Sequence, residues 1–179
     1  TERGTVLEQE RQKMDQMTAW DYWRRGMRHY ELEQYGKAVE SFSCAIEKQA
    51  NVAQFYSERG ISYYALRQYE KSIAENDRAI ELNPEFEVAY NNRGYAYAKM
   101  GEYRKAIADF NKAIALKREY DTAYHGRGYA YDRLGEWKEA LQDYNRAIDI
   151  NPKYAAAYRD RARLYARLSY TYDAMEDLN

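Results

Sequence analysis

The chain has 179 residues, 45% of them hydrophobic, with 28 lysines and arginines against 29 aspartates and glutamates. That content is enough for a folded soluble protein, and the near-zero charge removes any global pull toward nucleic acid or an anionic membrane, so a charged partner has to meet a local patch. A single cysteine, Cys44, excludes an intrachain disulfide, two histidines 96 residues apart offer no zinc set, and no apolar run nears the roughly 18 residues of a membrane span.

Residues 1–18 form an N-terminal segment without the pattern that follows. Leu7, Met14 and Met17 are spaced for a short amphipathic helix, so the segment reads as a cap, with disorder the alternative. The lone cysteine and the absence of a membrane-length run fit the cytoplasm, while a chain opening at Thr1 leaves room for a removed leader.

From Ala19 onward the chain repeats itself every 34 residues: "RGYAYAKMGEYRKAI" from Arg93 returns as "RGYAYDRLGEWKEAL" from Arg127. The repeats are 19–52, 53–86, 87–120, 121–154 and a partial 155–179. A period of this size signals stacked supersecondary units. Position 4 is tyrosine in all five (Tyr22, Tyr56, Tyr90, Tyr124, Tyr158), position 7 is arginine (Arg25, Arg59, Arg93, Arg127, Arg161), and position 8 is Gly26, Gly60, Gly94, Gly128 and Ala162. With position 11 (His29, Tyr63, Tyr97, Tyr131, Tyr165) these make an i, i+3, i+4, i+7 stripe, the packed face of a first helix.

A second stripe at positions 17, 20, 21, 24, 27 and 28, read in the third repeat as Tyr103, Ala106, Ile107, Phe110, Ala113 and Ile114, predicts a second helix. Gly101 and Gly135 supply positive φ between the two, and Pro84 and Pro152 stand just past the second. Each unit is therefore a helical hairpin, and the fold class is all-α. The fifth repeat ends in "YDAMEDLN", inside its expected second helix.

These columns resemble the tetratricopeptide repeat (TPR), in a variant with Arg-Gly at positions 7 and 8. Arginine replaces the family's leucine at position 7, Asn76 takes an aromatic position, and Ala50 and Arg118 stand for proline. The resemblance implies a right-handed superhelix with first helices lining a concave groove, and a noncatalytic scaffold holding a peptide or partner helix there. One subset of the family clamps chaperone-tail carboxylates with lysine and asparagine at positions 5 and 9, asparagine at 6 of the next repeat, and lysine and arginine at 2 and 6 of the third. Asn91 and Tyr95, then Gly126, then Ala156 and Asp160 do not make that clamp, and the register one repeat earlier places only Asn92 correctly.

The arginine column lies on the packing stripe, so it reads as structural: Glu75, Asp109, Asp143 and Asp177 at position 23 are its expected internal partners, with Ser41 the exception. The groove face carries the candidate contacts instead. Position 9 reads Met27, Ile61, Tyr95, Tyr129 and Arg163, apolar or aromatic in four of five cases on a face turned from the hairpin core. Partial cover by adjacent first helices is the competing explanation. Trp20 and Trp23 enlarge the aromatic region at the N-terminal end, Asn91 and Asn92 can bond a peptide backbone, and His125 stands on the same surface. Arg133, Arg159, Arg163 and Arg167 form a basic patch for an acidic side chain or terminal carboxylate, diluted by Asp132 and Asp160.

No catalytic, metal or cofactor set is present in the sequence, and acidic residues at positions 22, 23 and 29 oppose a nucleic-acid stripe. The alternatives to a peptide-binding scaffold are a self-assembling homodimer paired through the C-terminal repeat, and the TPR part of a larger protein.

Overall fold

The computed structural model describes residues 16–176, with side chains as far as Ser169. Of the expected N-terminal cap, Leu7 and Met14 lie outside the described residues, whereas Met17 packs beside Ala19 and Tyr22. The described residues form α1 (Ala19–Glu31), α2 (Tyr35–Lys48), α3 (Ala53–Ala65), α4 (Tyr69–Leu82), α5 (Glu87–Lys99), α6 (Tyr103–Leu116), α7 (Asp121–Leu134), α8 (Trp137–Ile150) and α9 (Ala155–Glu176), and no strand occurs among them. They group into two compact units divided after Pro84, one holding α1–α4 and the other α5–α9.

Local sequence sets the helix ends. Thr18 begins α1 with a capping box: its hydroxyl accepts from the Asp21 N–H, and the Asp21 carboxylate accepts from the Thr18 N–H at 3.0 Å. The hydroxyl bond from Thr18, more than the nearby Arg24, holds the Asp21 carboxyl below its ordinary range. Each hairpin then turns through a Schellman motif. The Gln34, Gln68, Glu102 and Glu136 N–H groups donate back to the carbonyls of His29, Tyr63, Tyr97 and Tyr131 at 2.8–2.9 Å. The preceding residue has to be left-handed. Gly101 and Gly135 meet this freely, with φ of 80° and 79°, but Glu33 and Arg67 adopt φ of 57° and 60° at the same position.

Small residues let the paired helices approach. In the second unit Phe110 is fully buried between Gly94 of α5 and Gly126 of α7, inside a cluster with Ala98, Ala106, Ile107, Ala113, Ala123 and Ala130. Eight partly buried side chains, seven of them tyrosines, pack around that cluster. Tyrosine therefore does the work expected of larger aliphatics, with its ring inward and its hydroxyl at the rim. In the first unit, Asn76 replaces the aromatic residue at the corresponding position and is fully buried. It is satisfied there: its amide donates to the Ser72 carbonyl at 2.8 Å and accepts from the Ser57 hydroxyl at 3.0 Å.

The arginine column forms the expected internal bridges. Arg59 meets Glu75 at 2.8 Å through both carboxylate oxygens, Arg93 meets Asp109 at 2.7 and 2.6 Å, and Arg127 meets Asp143 at 2.7 Å twice. Each guanidinium also lies over the ring three residues earlier, as Arg127 does over Tyr124 at 5.3 Å. Burial pushes the Glu75 and Asp143 carboxyls up, with their arginines opposing the rise. A second link was not foreseen. Arg59 donates to Ser43, Arg127 to Asn111 and Arg161 to Asn145, at 3.0, 2.6 and 2.6 Å, so within each unit the column also ties a hairpin to the one before it. The other expected partner of Arg161, Asp177, lies outside the described residues.

The fifth repeat corrects the sequence reading. A turn and second helix were expected before "YDAMEDLN", yet α9 runs unbroken for 22 residues. Ser169 stands where the left-handed residue has to be, and a helix continuing through a serine avoids the cost of that conformation.

Candidate functional site

In the second unit, α5, α7 and α9 are first helices of successive hairpins, and their shared face is centred on His125. His125 is only 8% exposed, which corrects its expected place on a solvated surface. Its Nε2 is 2.9 Å from Asp160 Oδ2 on α9. The carboxylate can only accept, so Nε2 carries the proton on that side. The Tyr154 hydroxyl reaches Nδ1 at 3.2 Å, while the Tyr95 hydroxyl, 3.4 Å away, donates to the Thr122 carbonyl at 2.6 Å. Burial raises the Tyr154 hydroxyl above its ordinary value.

Around this centre lies a ring of arginines and carboxylates. Arg159 and Arg163 both approach Asp160 Oδ1, at 3.3 and 3.5 Å, and Arg167 pairs with Asp132. Arg133 donates to the Tyr103 hydroxyl at 3.1 Å and lies over its ring, and that ring meets Tyr129 edge-on. Burial, then Tyr103, raises the Tyr129 hydroxyl, with Arg133 opposing. Beneath them Tyr144 of α8 is fully buried. Burial raises its hydroxyl, Asp132 and Asp160 add to the rise, and its oxygen has no hydrogen-bond partner among the described residues. One hairpin earlier, Asn91 is buried with its amide oxygen likewise unpartnered, and Asn92 beside it is half-buried.

The candidates thus fall into two groups. Asn91, Asn92, Tyr95, His125, Tyr129, Arg133, Arg159, Arg163 and Arg167 belong to the second unit, where His125, Arg159 and Arg163 converge on Asp160, Arg167 pairs with Asp132, and Arg133 rests on Tyr103. Trp20, Trp23, Met27 and Ile61 belong to the first. There Trp20 meets the rings of Trp23 and Phe55 edge-on at 5.6 and 4.9 Å, and Met27 and Ile61 are half-buried. Tyr95 and Tyr129 are half-buried by neighbouring helices, so they hold the face together as well as line it.

Sequence reasoning treated Asp160 and Asp132 only as dilution and missed their role as hubs. The signal was in the spacing: His125 to Asp160 and Asp132 to Arg167 are both 35 residues, one more than the repeat, the offset that joins facing positions on consecutive first helices. With both ring nitrogens engaged, His125 offers neither to a substrate. The arrangement can present charge and hydrogen bonds. Among the described residues no His, Cys, Asp and Glu group is arranged for a metal, and no helix is long and apolar enough to cross a membrane.

Consecutive helical hairpins joined by matching turns define an all-α repeat protein of the solenoid class. The tetratricopeptide repeat model matches residues 88–120 and 122–154, and a TPR repeat model matches 62–101, together half of the chain. The chain belongs to the tetratricopeptide repeat family, whose fold is a noncatalytic scaffold for protein interaction. Similar solved structures include the first TPR of Spaghetti (RPAP3) bound to the HSP90 peptide SRMEEVD, 29% identical over 65% of this chain and 93% of that one, with a TM-score of 0.63. MamA is 26% identical over 82% and 86%, with a TM-score of 0.71. YrrB, described as a TPR protein with an unusual peptide-binding site, shares the fold at 23% identity and a TM-score of 0.68, over 80% and 74%. The chain has no significant match among curated protein sequences.

Proposed function

We propose that the chain is a noncatalytic adaptor whose second unit takes a peptide or partner helix bearing an acidic group against the first-helix face of α5, α7 and α9. One observation carries this reading: the single carboxylate of Asp160 is shared by His125, Arg159 and Arg163. The patch holds Arg133, Arg159, Arg163 and Arg167 against Asp132 and Asp160, so guanidinium donors exceed the carboxylates between them. The surplus suits a carboxylate on a ligand, which Arg recognises through two parallel bonds.

The peptide bound by the RPAP3 repeat is acidic, which favours the same ligand class here. Gly126, Ala156 and Asp160 occupy positions that a chaperone-tail clamp fills with asparagine, lysine and arginine, so the ligand differs from such a tail. The test is fluorescence anisotropy with a labelled peptide carrying one glutamate beside its glutamine counterpart. Arg159→Ser with Arg163→Ser should weaken the first by about tenfold and leave the second unchanged. Equal binding of both peptides by the unaltered chain would remove the acidic reading. Tyr95→Ala is a poor probe, because its hydroxyl bond to Thr122 and its edge contact with Phe110 hold two helices together.

A second reading rests on α9, where Tyr158 and Tyr165 are 41% and 49% exposed although the same columns are packed in earlier repeats. That face suits pairing of two copies, and light scattering across concentration separates it from a monomeric adaptor.

A further inference from the structure

The first hairpin departs from the arginine pattern in one respect. Arg59, Arg93 and Arg127 each grip a carboxylate on their own second helix, but Arg25 faces Ser41, whose hydroxyl is turned back to the Lys37 carbonyl at 2.9 Å. The second partner of the column comes from a preceding hairpin, and none precedes α1 among the described residues. Arg25 accordingly makes no hydrogen bond or ion pair among them, and its side chain opens on a cavity of about 290 Å³. Tyr22, His29, Lys37, Glu40, Ser41 and Cys44 line the rest. Lys37 adds a second cation, and neither it nor Arg25 forms an ion pair with Glu40.

The geometry points to a binding site for a carboxylate between α1 and α2, in the place that Glu75, Asp109 and Asp143 fill in the other repeats. The fork of Arg25 supplies two parallel donors, and the Lys37 ammonium adds charge from the second helix. A cavity at the lower edge of the usual ligand range, about 300 Å³, takes a carboxylate with few further atoms and not a long segment. An aspartate side chain and a peptide C-terminus share that chemistry. This site lies in the first unit and is independent of the face centred on His125.

The test follows the arginine Nε–H signals of the full chain by NMR during titration with three probes: acetate, Ac-Gly-Asp-Gly-NH₂ and Ac-Gly-Gly-Gly-OH. Acetate should move the Arg25 signal toward those of Arg93 and Arg127, whose Nε–H groups already donate to carboxylates. The two peptides separate a side-chain source from a terminal one by their relative affinity. Arg25→Gln should weaken binding by about tenfold or more, through loss of charge-assisted bonds. Ser41→Asp should abolish it by supplying the carboxylate internally, and its Arg25 signal should match Arg93 without any probe. An Arg25 signal unmoved by all three probes, or binding that survives Ser41→Asp at full strength, overturns the site.

Discussion

Arg93 grips Asp109 through two parallel bonds, Nε to Oδ2 at 2.7 Å and Nη2 to Oδ1 at 2.6 Å, with the carboxylate 8% exposed and the guanidinium side chain 20%. Removing one partner strands the other. Asp109→Ala is therefore expected to cost about 3–5 kcal/mol in urea denaturation, whereas Asp109→Ala with Arg93→Leu should recover part of that loss. Additive losses in the double variant would show that the two side chains act separately.

Phe110 sits against Gly126 so closely that a methyl group there would overlap the ring. Gly126→Ala should cost about 1–3 kcal/mol by overpacking. Gly36, in α2 with no atom within 4 Å of the added carbon, is the control: alanine there should be neutral or stabilising by up to about 1 kcal/mol. Thermal melts of the two variants should move in opposite directions or differ by several degrees.

Arg67 and Gly135 hold the same turn position, at φ of 60° and 79°. A non-glycine residue enters that conformation at a cost of roughly 1–2 kcal/mol, and glycine's larger loss of chain entropy offsets about 0.5–1 of it. Arg67→Gly should stabilise by about 0.5–1 kcal/mol, and Gly135→Ala should destabilise by a similar amount. Denaturant midpoints decide both.

Burial, with Glu87 and Asp121 adding to it against a hydrogen bond from Thr122, lifts the Tyr120 hydroxyl from an ordinary 10.0 to about 12. The unfolded chain loses this proton near pH 10 and the folded chain only near 12. The contribution is complete below pH 10 and disappears as pH rises toward 12, by about 2 kcal/mol. Tyr120→Phe should lose less stability across that window than the unaltered chain, as measured by denaturation at pH 9, 10.5 and 12.

The hairpins were legible because one face of each helix repeats at fixed offsets, and the arginine bridges because a carboxylate recurs at position 23. Three features were hidden for physical reasons. The continuity of α9 depends on whether Ser169 turns left-handed, a choice between two conformations that composition does not decide. The burial of His125 depends on Tyr154 at the end of its own repeat and on Asp160 from the next hairpin closing over it, and the Asp160 contact runs between repeats and not within one. The links from Arg59, Arg127 and Arg161 to Ser43, Asn111 and Asn145 were obscured because small polar residues at an outward position look like solvated surface.

Those last links give the array a property beyond stability. The block 121–154 carries both an arginine reaching backward, Arg127 to Asn111, and a short polar group, Asn145, that receives the next arginine, so a copy of it arrives with both halves of its own connector. Lengthening by duplication of that block then requires no new surface to be invented.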